Sequence, residues 1–444
     1  MRRQYLTLGV TALVISIGLV NPASKAATTD SLPPGAIAGP IMNAVTQAMP
    51  IKPAALSAFI ADALSTVGSQ NQVSALFVDD ATGDFLFSQQ ADRSMIPAST
   101  LKLVTSVGVL EELGLETRFT THVVQDGQTL TLVGGGDPTL VSKTPANWRG
   151  KPPGVEQPPS LDQIAELVAA KLAGQPGPFV INVDSSFFAS AATEESWPSS
   201  YVGQGFVSPV TGLTVDFGVD DNNRAYTNPA IFAGKYLAEA LTARGFESSV
   251  GIDAIAPPGA VEIATIQSAR LLDIVERMVT TSNNTFAEYL SHHVGKKNGD
   301  DSFQNSAKVL QQKLVLAGIS TAGVELHDGS GLSASNKVTT ETLIDVIRYA
   351  HKQGSTVWPL LSGLPIAGVS GTLEERFAAA DSGRGYVRAK TGTLSGVVSL
   401  AGSVTTSSGN VVDYAVIANG INSTEATQKA VDSLIKRLSE CGCS

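Results

Sequence analysis

The stretch IPASTLKLVTS (residues 96–106) sets a serine and a lysine, Ser99 and Lys102, three residues apart where an extended segment gives way to a helix. Pro97 places the helix start at that point. On a helix the two side chains lie on one face, a turn apart. A serine hydroxyl attacks only when something takes its proton, and a lysine does so if burial or a second positive group lowers its pKa. The first turn also offers free backbone N–H groups and the positive end of the helix dipole. The competing reading is an ordinary N-cap serine. A second Ser-x-x-Lys, Ser433 and Lys436, lies deep in a predicted terminal helix and reads as a solvated face. Spacing alone therefore decides nothing.

Two further stretches bear on the choice. TTSNNTFAEYL (280–290) carries Ser282-Asn283-Asn284 inside an apolar helical segment, where three polar side chains are costly unless hydrogen-bonded or set in a cleft. RAKTGTLSGVVSLAG (388–402) carries Lys390-Thr391-Gly392-Thr393 leading into a β run. A glycine there permits close backbone approach by a substrate, and a lysine with two threonines can hold a carboxylate. The plain alternative for Lys390 is an exposed edge-strand lysine.

Around these stretches the 444-residue chain, 43% hydrophobic and 16% charged, is long enough for a large core and more than one domain. Residues 1–26 read as an export signal. Arg2 and Arg3 precede an apolar run from Leu6 to Val20, and Ser24-Lys25-Ala26 is a cleavage site. The mature chain then carries 27 basic and 40 acidic residues, net charge −13, a poor partner for nucleic acid. No second long apolar run follows, so no stable membrane span is expected after cleavage. Residues 27–55 read as a linker leading into a first helix.

VSALFVDDATGDFLFS (73–88) is a hairpin turning at Asp80-Ala81-Thr82-Gly83, and a second hairpin and a closing helix fill the C-terminal end. Strands from both ends of the chain suggest one antiparallel sheet. Residues 121–269 differ: short β-rich runs, a proline-heavy segment, and helices near Leu161 to Leu172 and Ala230 to Arg244. They read as one or two inserted β-rich domains, splitting a domain made of 56–120 and 270–444.

The ordered set Ser-x-x-Lys, Ser-x-Asn, Lys-Thr-Gly resembles the serine penicillin-recognising enzymes. About 180 residues separate Ser99 from Ser282 and about 110 separate Ser282 from Lys390. That long first gap resembles the D-alanyl-D-alanine carboxypeptidase/endopeptidase family, the class C low-molecular-mass penicillin-binding proteins. GGGDPTL (134–140), DSSFF (184–188), DGSGLS (328–333) and LPIAGVSGTL (364–373) resemble that family too. The resemblance implies an α/β (α+β) transpeptidase-like fold and a peptidase acting on peptidoglycan stem peptides, acylated by β-lactams, with no cofactor or metal. It implies Ser99 as nucleophile, Lys102 as base and Ser282 as proton relay. Asn284, Lys390, Thr391, Gly392 and Thr393 would bind substrate, with Lys390 depressing the pKa of Lys102. The family's arginine after DGSGLS is replaced by Ala334. Asp184 is the candidate acidic partner for a charged stem-peptide side chain; its plain alternative is a turn aspartate. An exported protein of the periplasm, cell wall or exterior is implied.

Other classes fit less well. The chain has no Gly-x-Ser-x-Gly and no His-Glu-x-x-His, and its five histidines form no ligand spacing. Gly134 to Gly136 read as a tight turn. A β-lactamase or a non-catalytic wall-binding protein remain the alternatives. Cys441 and Cys443, the two cysteines, fit either a local disulfide or an idle tail.

Overall fold

The computed structural model describes residues 53–69, 71–144, 157–222, 224–377 and 381–441. The expected export signal, nearly all of the expected linker and Cys443 lie outside them. Cys441 is disulfide-bonded. In chain order the elements are α1 (Pro53–Leu64), β1 (Val73–Asp79), β2 (Phe85–Gln89), α2 (Leu101–Leu113), β3 (Thr120–Asp126), β4 (Thr129–Val133), α3 (Leu161–Lys171), β5 (Phe179–Asp184) and α4 (Ser200–Gly203). There follow α5 (Pro229–Thr242), β6 (Ser248–Asp253), β7 (Val261–Gln267), α6 (Leu271–Thr281), α7 (Asn284–Lys297), α8 (Phe303–Leu316), α9 (Thr340–His351), α10 (Pro359–Ser362), β8 (Val387–Leu394), β9 (Val397–Thr405), β10 (Val411–Asn419) and α11 (Thr424–Glu440).

The two terminal hairpins join into one sheet of order β2-β1-β10-β9-β8, with every neighbouring pair antiparallel. The central strands β1, β9 and β10 are largely apolar because both of their faces are covered. Phe77, Tyr414 and Val416 face a layer formed with Leu56 and Ile60 of α1 and with Leu434 and Leu438 of α11. Leu76, Val78, Ala415 and Ile417 face the opposite layer, with α2, α6, α7 and α9. Each fully buried aliphatic side chain contributes about 1.5–3 kcal/mol, so these two layers dominate the stability. The terminal helix thus spends its apolar face on the sheet, while Ser433 is exposed.

The second sheet, order β6-β5-β4-β3-β7, is built wholly from residues between 120 and 267. It is mixed: β4–β5 and β5–β6 are parallel, while β3–β4 and β3–β7 are antiparallel. Helices α3 and α5 complete its core, with Ile164, Val168, Leu237 and Leu241 against Leu132, Ile181 and Val183. Both helices expected inside the insert, near Leu161 to Leu172 and Ala230 to Arg244, are present as α3 and α5.

Gly134 to Gly136 do not make a tight turn. They follow β4 without an assigned turn, wedged between other chain segments, and Gly136 takes φ +73. A Cβ at Gly134 would meet Gly212 O at 2.2 Å, and one at Gly135 would meet Thr120 O at 2.2 Å. Close approach of backbone, rather than a reversal, demands glycine here.

Candidate active site

Ser99 sits on a 3₁₀ turn, Ala98 to Thr100, that precedes α2 rather than opening it. Ala98 has φ +49, a left-handed conformation unusual for a residue with a side chain. Its surroundings hold it there. Thr100 Oγ1 and Ser399 Oγ both donate to Pro97 O, at 2.7 and 2.6 Å. Gly331, itself at φ +86, presses on the Ala98 carbonyl, which a Cβ at 331 would meet at 2.0 Å. Helix α2 is buried from Leu101 to Leu110, and Lys102 with it.

The Lys102 ammonium donates to Ser99 Oγ at 3.0 Å, to Asn284 Oδ1 at 2.7 Å and to the Ser330 carbonyl at 2.6 Å. Burial pushes it down to about 7, with Glu288 and Asp328 pulling the other way. A lysine at that value is substantially neutral near pH 7 and can take a proton from Ser99.

Ser282 and Asn284 do not lie within one helix. The apolar period runs through α6 and α7, but the chain breaks between them. Ser282 takes φ +57 and ends α6, while the Asn283 side chain accepts from Phe286 N and caps α7. Uninterrupted periodicity hid a two-residue break that turns both polar side chains into the cleft. Asn284 bridges, accepting from Lys102 and donating through Nδ2 to Phe206 O at 2.8 Å.

Lys390 lies on β8 at the sheet edge, yet it is buried. It donates to Ser282 Oγ and to Thr391 O, both at 2.8 Å. Burial first, then the Lys102 charge, hold it well below the usual lysine range. The two ammonium groups thus share one cleft: burial lowers Lys102 first, and burial with the Lys102 charge lowers Lys390.

Gly392 admits the Ser99 turn itself rather than a substrate. A Cβ there would lie 2.2 Å from Ser399 Oγ, 2.8 Å from Pro97 O and 3.0 Å from Ser99 N. Thr391 shares a hydrogen bond with Thr372 Oγ1 at 2.8 Å. Thr393 is exposed and accepts from Gln428 Nε2 at 2.8 Å.

Asp184 stands apart at the end of β5. Its carboxylate accepts from Ser186 N (3.0 Å), Ser186 Oγ (2.6 Å) and Ala256 N (2.8 Å). Burial pushes this carboxyl up, and those donors together hold it below its usual range. Among the described residues no hydrogen bond or ion pair links it to the three motifs, so the geometry favours the turn aspartate.

Glu288 carries no sequence signal of its own, whereas Asp328 opens the DGSGLS stretch. Glu288, one turn along α7 from Asn284, is fully buried and accepts from Gly329 N (3.0 Å) and Ser330 N (2.7 Å). Burial and the neighbouring Asp328 push its carboxyl up to about 8, against those N–H groups. Asp328 accepts from Trp197 Nε1, Gly331 N, Ser333 N and Asn336 Nδ2. The loop carrying the Ser330 carbonyl is thereby fixed from two sides. Residues 186–211 close the cleft over α7: Ser208 N donates to Thr285 Oγ1, and Tyr289 OH to Pro209 O.

A serine hydrogen-bonded to a buried lysine, with a second serine held by a second lysine, is the arrangement expected of Ser–Lys acyl-transfer enzymes. The chain belongs to the D-Ala-D-Ala carboxypeptidase 3 (S13) family, whose sequence profile matches residues 56–223 and 220–441; it is a serine-type D-Ala-D-Ala carboxypeptidase of that family. It is 34% identical over 432 residues to the carboxypeptidase Rv3627c of Mycobacterium tuberculosis, covering 93% of this chain and 89% of that one. It is 32% identical over 467 residues to the carboxypeptidase DacB of Mycolicibacterium smegmatis, covering 100% and 98%. The fold matches the crystal structure of penicillin binding protein 4 (dacB) from Haemophilus influenzae with TM-score 0.71 and 21% identity, over 86% of this chain and 99% of that one.

Proposed function

We propose that Ser99 is the nucleophile of a DD-peptidase that acts on peptidoglycan stem peptides. Neutral Lys102 takes the hydroxyl proton as Ser99 Oγ attacks the carbonyl carbon of the D-Ala-D-Ala bond. The oxyanion is held by the backbone N–H groups of Ser99 and Thr393, a contribution that is large in such sites. Ser282, hydrogen-bonded to Lys390, relays a proton to the departing D-alanine amine. Water then hydrolyses the ester at Ser99, and Lys102 is restored. Lys390, Thr391 and Thr393 bind the terminal carboxylate, whose negative charge favours the protonated form of Lys390. Asn284 binds the peptide amide and holds Lys102 in register.

The observation that carries this reading is the 3.0 Å contact between Ser99 Oγ and a fully buried lysine lowered to about 7. The same chemistry opens a β-lactam ring and leaves a slowly hydrolysed acyl-enzyme. It extends to cross-links that contain a D-alanine bond, so endopeptidase action belongs to the proposal. We further assign 56–120 and 270–444 to the catalytic domain, 121–269 to the insert, and the site of action to an exported compartment. Among the described residues no helix is long and apolar enough to cross a membrane.

The test is release of D-alanine from a pentapeptide ending in D-Ala-D-Ala, alongside conversion of cross-linked muropeptide dimers to monomers. Loss of both activities in Ser99→Ala supports the reading, and retention of either overturns the assignment of the nucleophile. Rapid multiple turnover of nitrocefin, without a stable adduct, would instead mark a β-lactamase.

A further inference from the structure

Strand β10 breaks its own pattern at Asp413. Ala415 and Ile417, on the same face, pack in the helix-covered core, and Asp413 sets a carboxylate with 0% exposure in that layer. A buried charge is costly unless compensated. Ser403 Oγ donates to Asp413 Oδ1 at 2.6 Å; the Asp413 carboxyl also shares a side-chain hydrogen bond with Asp80, while no hydroxyl, amide or imidazole group bonds Oδ2. It is aimed at His351, the last residue of α9, whose Nδ1 is 3.8 Å away. The same Nδ1 lies 2.8 Å from Asp80 Oδ1, in the turn after β1. One ligand atom from each of the three residues falls within 4.8 Å of the others. Arg348, one turn earlier on α9, is the other charged group facing the cluster; its guanidinium packs on Gly83 and acts on both aspartates.

We propose that Asp80, His351 and Asp413 form a zinc site, outside the Ser99 site, that ties the β1–β2 turn, β10 and the end of α9 together. One imidazole nitrogen with two carboxylate oxygens suits zinc; calcium and magnesium take shells of oxygen. Ligand atoms around a tetrahedral zinc stand about 3.3 Å apart, given bonds of about 2.0–2.2 Å. The separations of 2.8 and 3.8 Å bracket that spacing, so small side-chain rotations admit the ion. Two carboxylates balance the dication, and the ion displaces the proton on His351 Nδ1. The Asp80 and His351 side chains are 23% and 22% exposed, which gives zinc access and leaves room for a water as fourth ligand. The Arg348 charge opposes the ion and limits its affinity.

Lys390 pairs with Ala401, which pairs with Ala415 of β10, so Asp413 lies two strands over and two residues along from Lys390, about 12 Å away by strand spacing and rise. Zinc here acts on stability and leaves acylation of Ser99 unchanged.

The test uses the full chain, stripped with EDTA and titrated with zinc chloride, with metal content read by mass spectrometry and melting followed in parallel. The wild type should take up one zinc per chain and melt higher by about 3 °C or more. His351→Gln and the isosteric Asp413→Asn should each lose both effects, and labelling by fluorescent penicillin reports that each variant is folded. No uptake by the wild type overturns the proposal even if a variant fails to fold. Equal uptake by either folded variant overturns it as well.

Discussion

Glu288 and Lys102 never touch, yet one positions the other: Glu288 accepts from Ser330 N at 2.7 Å, and the Ser330 carbonyl accepts from Lys102 Nζ at 2.6 Å. The proposed base is therefore aimed at Ser99 by a loop that a buried carboxyl holds. Glu288→Gln puts an amide N–H against one of the two backbone donors, at a cost of about 1–3 kcal/mol in stability. With its carboxyl pushed up to about 8, Glu288 is largely neutral near pH 7, so the substitution acts through the loop it holds rather than by removing charge. The variant should melt lower and acylate more slowly. Wild-type melting together with wild-type acylation would contradict the link.

The acylation rate itself should track neutral Lys102. Burial sets that group at about 7, and the neutral form is the active base. The rate should rise about tenfold per pH unit below 7 and level off above it. Stopped-flow acylation by a chromogenic cephalosporin between pH 5 and 9 reads this directly. A rate still climbing at pH 9 would place the base elsewhere.

Gly392→Ala drives a methyl group into Pro97 O and Ser99 N, so β8 and the serine turn must separate. Both proposed oxyanion donors lie on those two segments. Acylation should fall by about 10²–10³-fold, the scale of losing one such donor. Because the strain is local, the variant should keep its far-ultraviolet circular dichroism.

Thr393→Val keeps the shape of an exposed side chain and removes one hydroxyl. If Thr393 holds the terminal carboxylate, KM for a D-Ala-D-Ala pentapeptide should rise about tenfold or more, since a bond to a charged group is worth about 1.5–3 kcal/mol. The pH midpoint set by Lys102 should not move. Equal loss with a substrate amidated at its C-terminus would show that Thr393 does something else.

The hairpins at both ends of the chain were legible because their strands are rich in apolar and β-branched residues and are joined by turn sequences, and their pairing into one sheet followed. The Ser99–Lys102 pair was legible as local geometry. What the sequence could not show are relations across long separations. Glu288 reads as one more polar residue in a helix, and only the return of residues 328–331 explains its burial. The break at Ser282 was masked by an apolar period common to α6 and α7. Phe206 and Trp197 meet the site because residues 186–211 fold back over α7, and nothing in their composition marks them for it. Asp80, His351 and Asp413 share no spacing at all; the sheet order brings them together.

The central claim is that Ser99, and no other residue, carries the acyl group. The most direct measurement is intact-mass spectrometry after incubation with benzylpenicillin, followed by peptide mapping. One penicilloyl group per chain, on the peptide containing Ser99 and absent from Ser99→Ala, is the predicted result. An adduct on a different peptide, or labelling of Ser99→Ala at the wild-type rate, would contradict it.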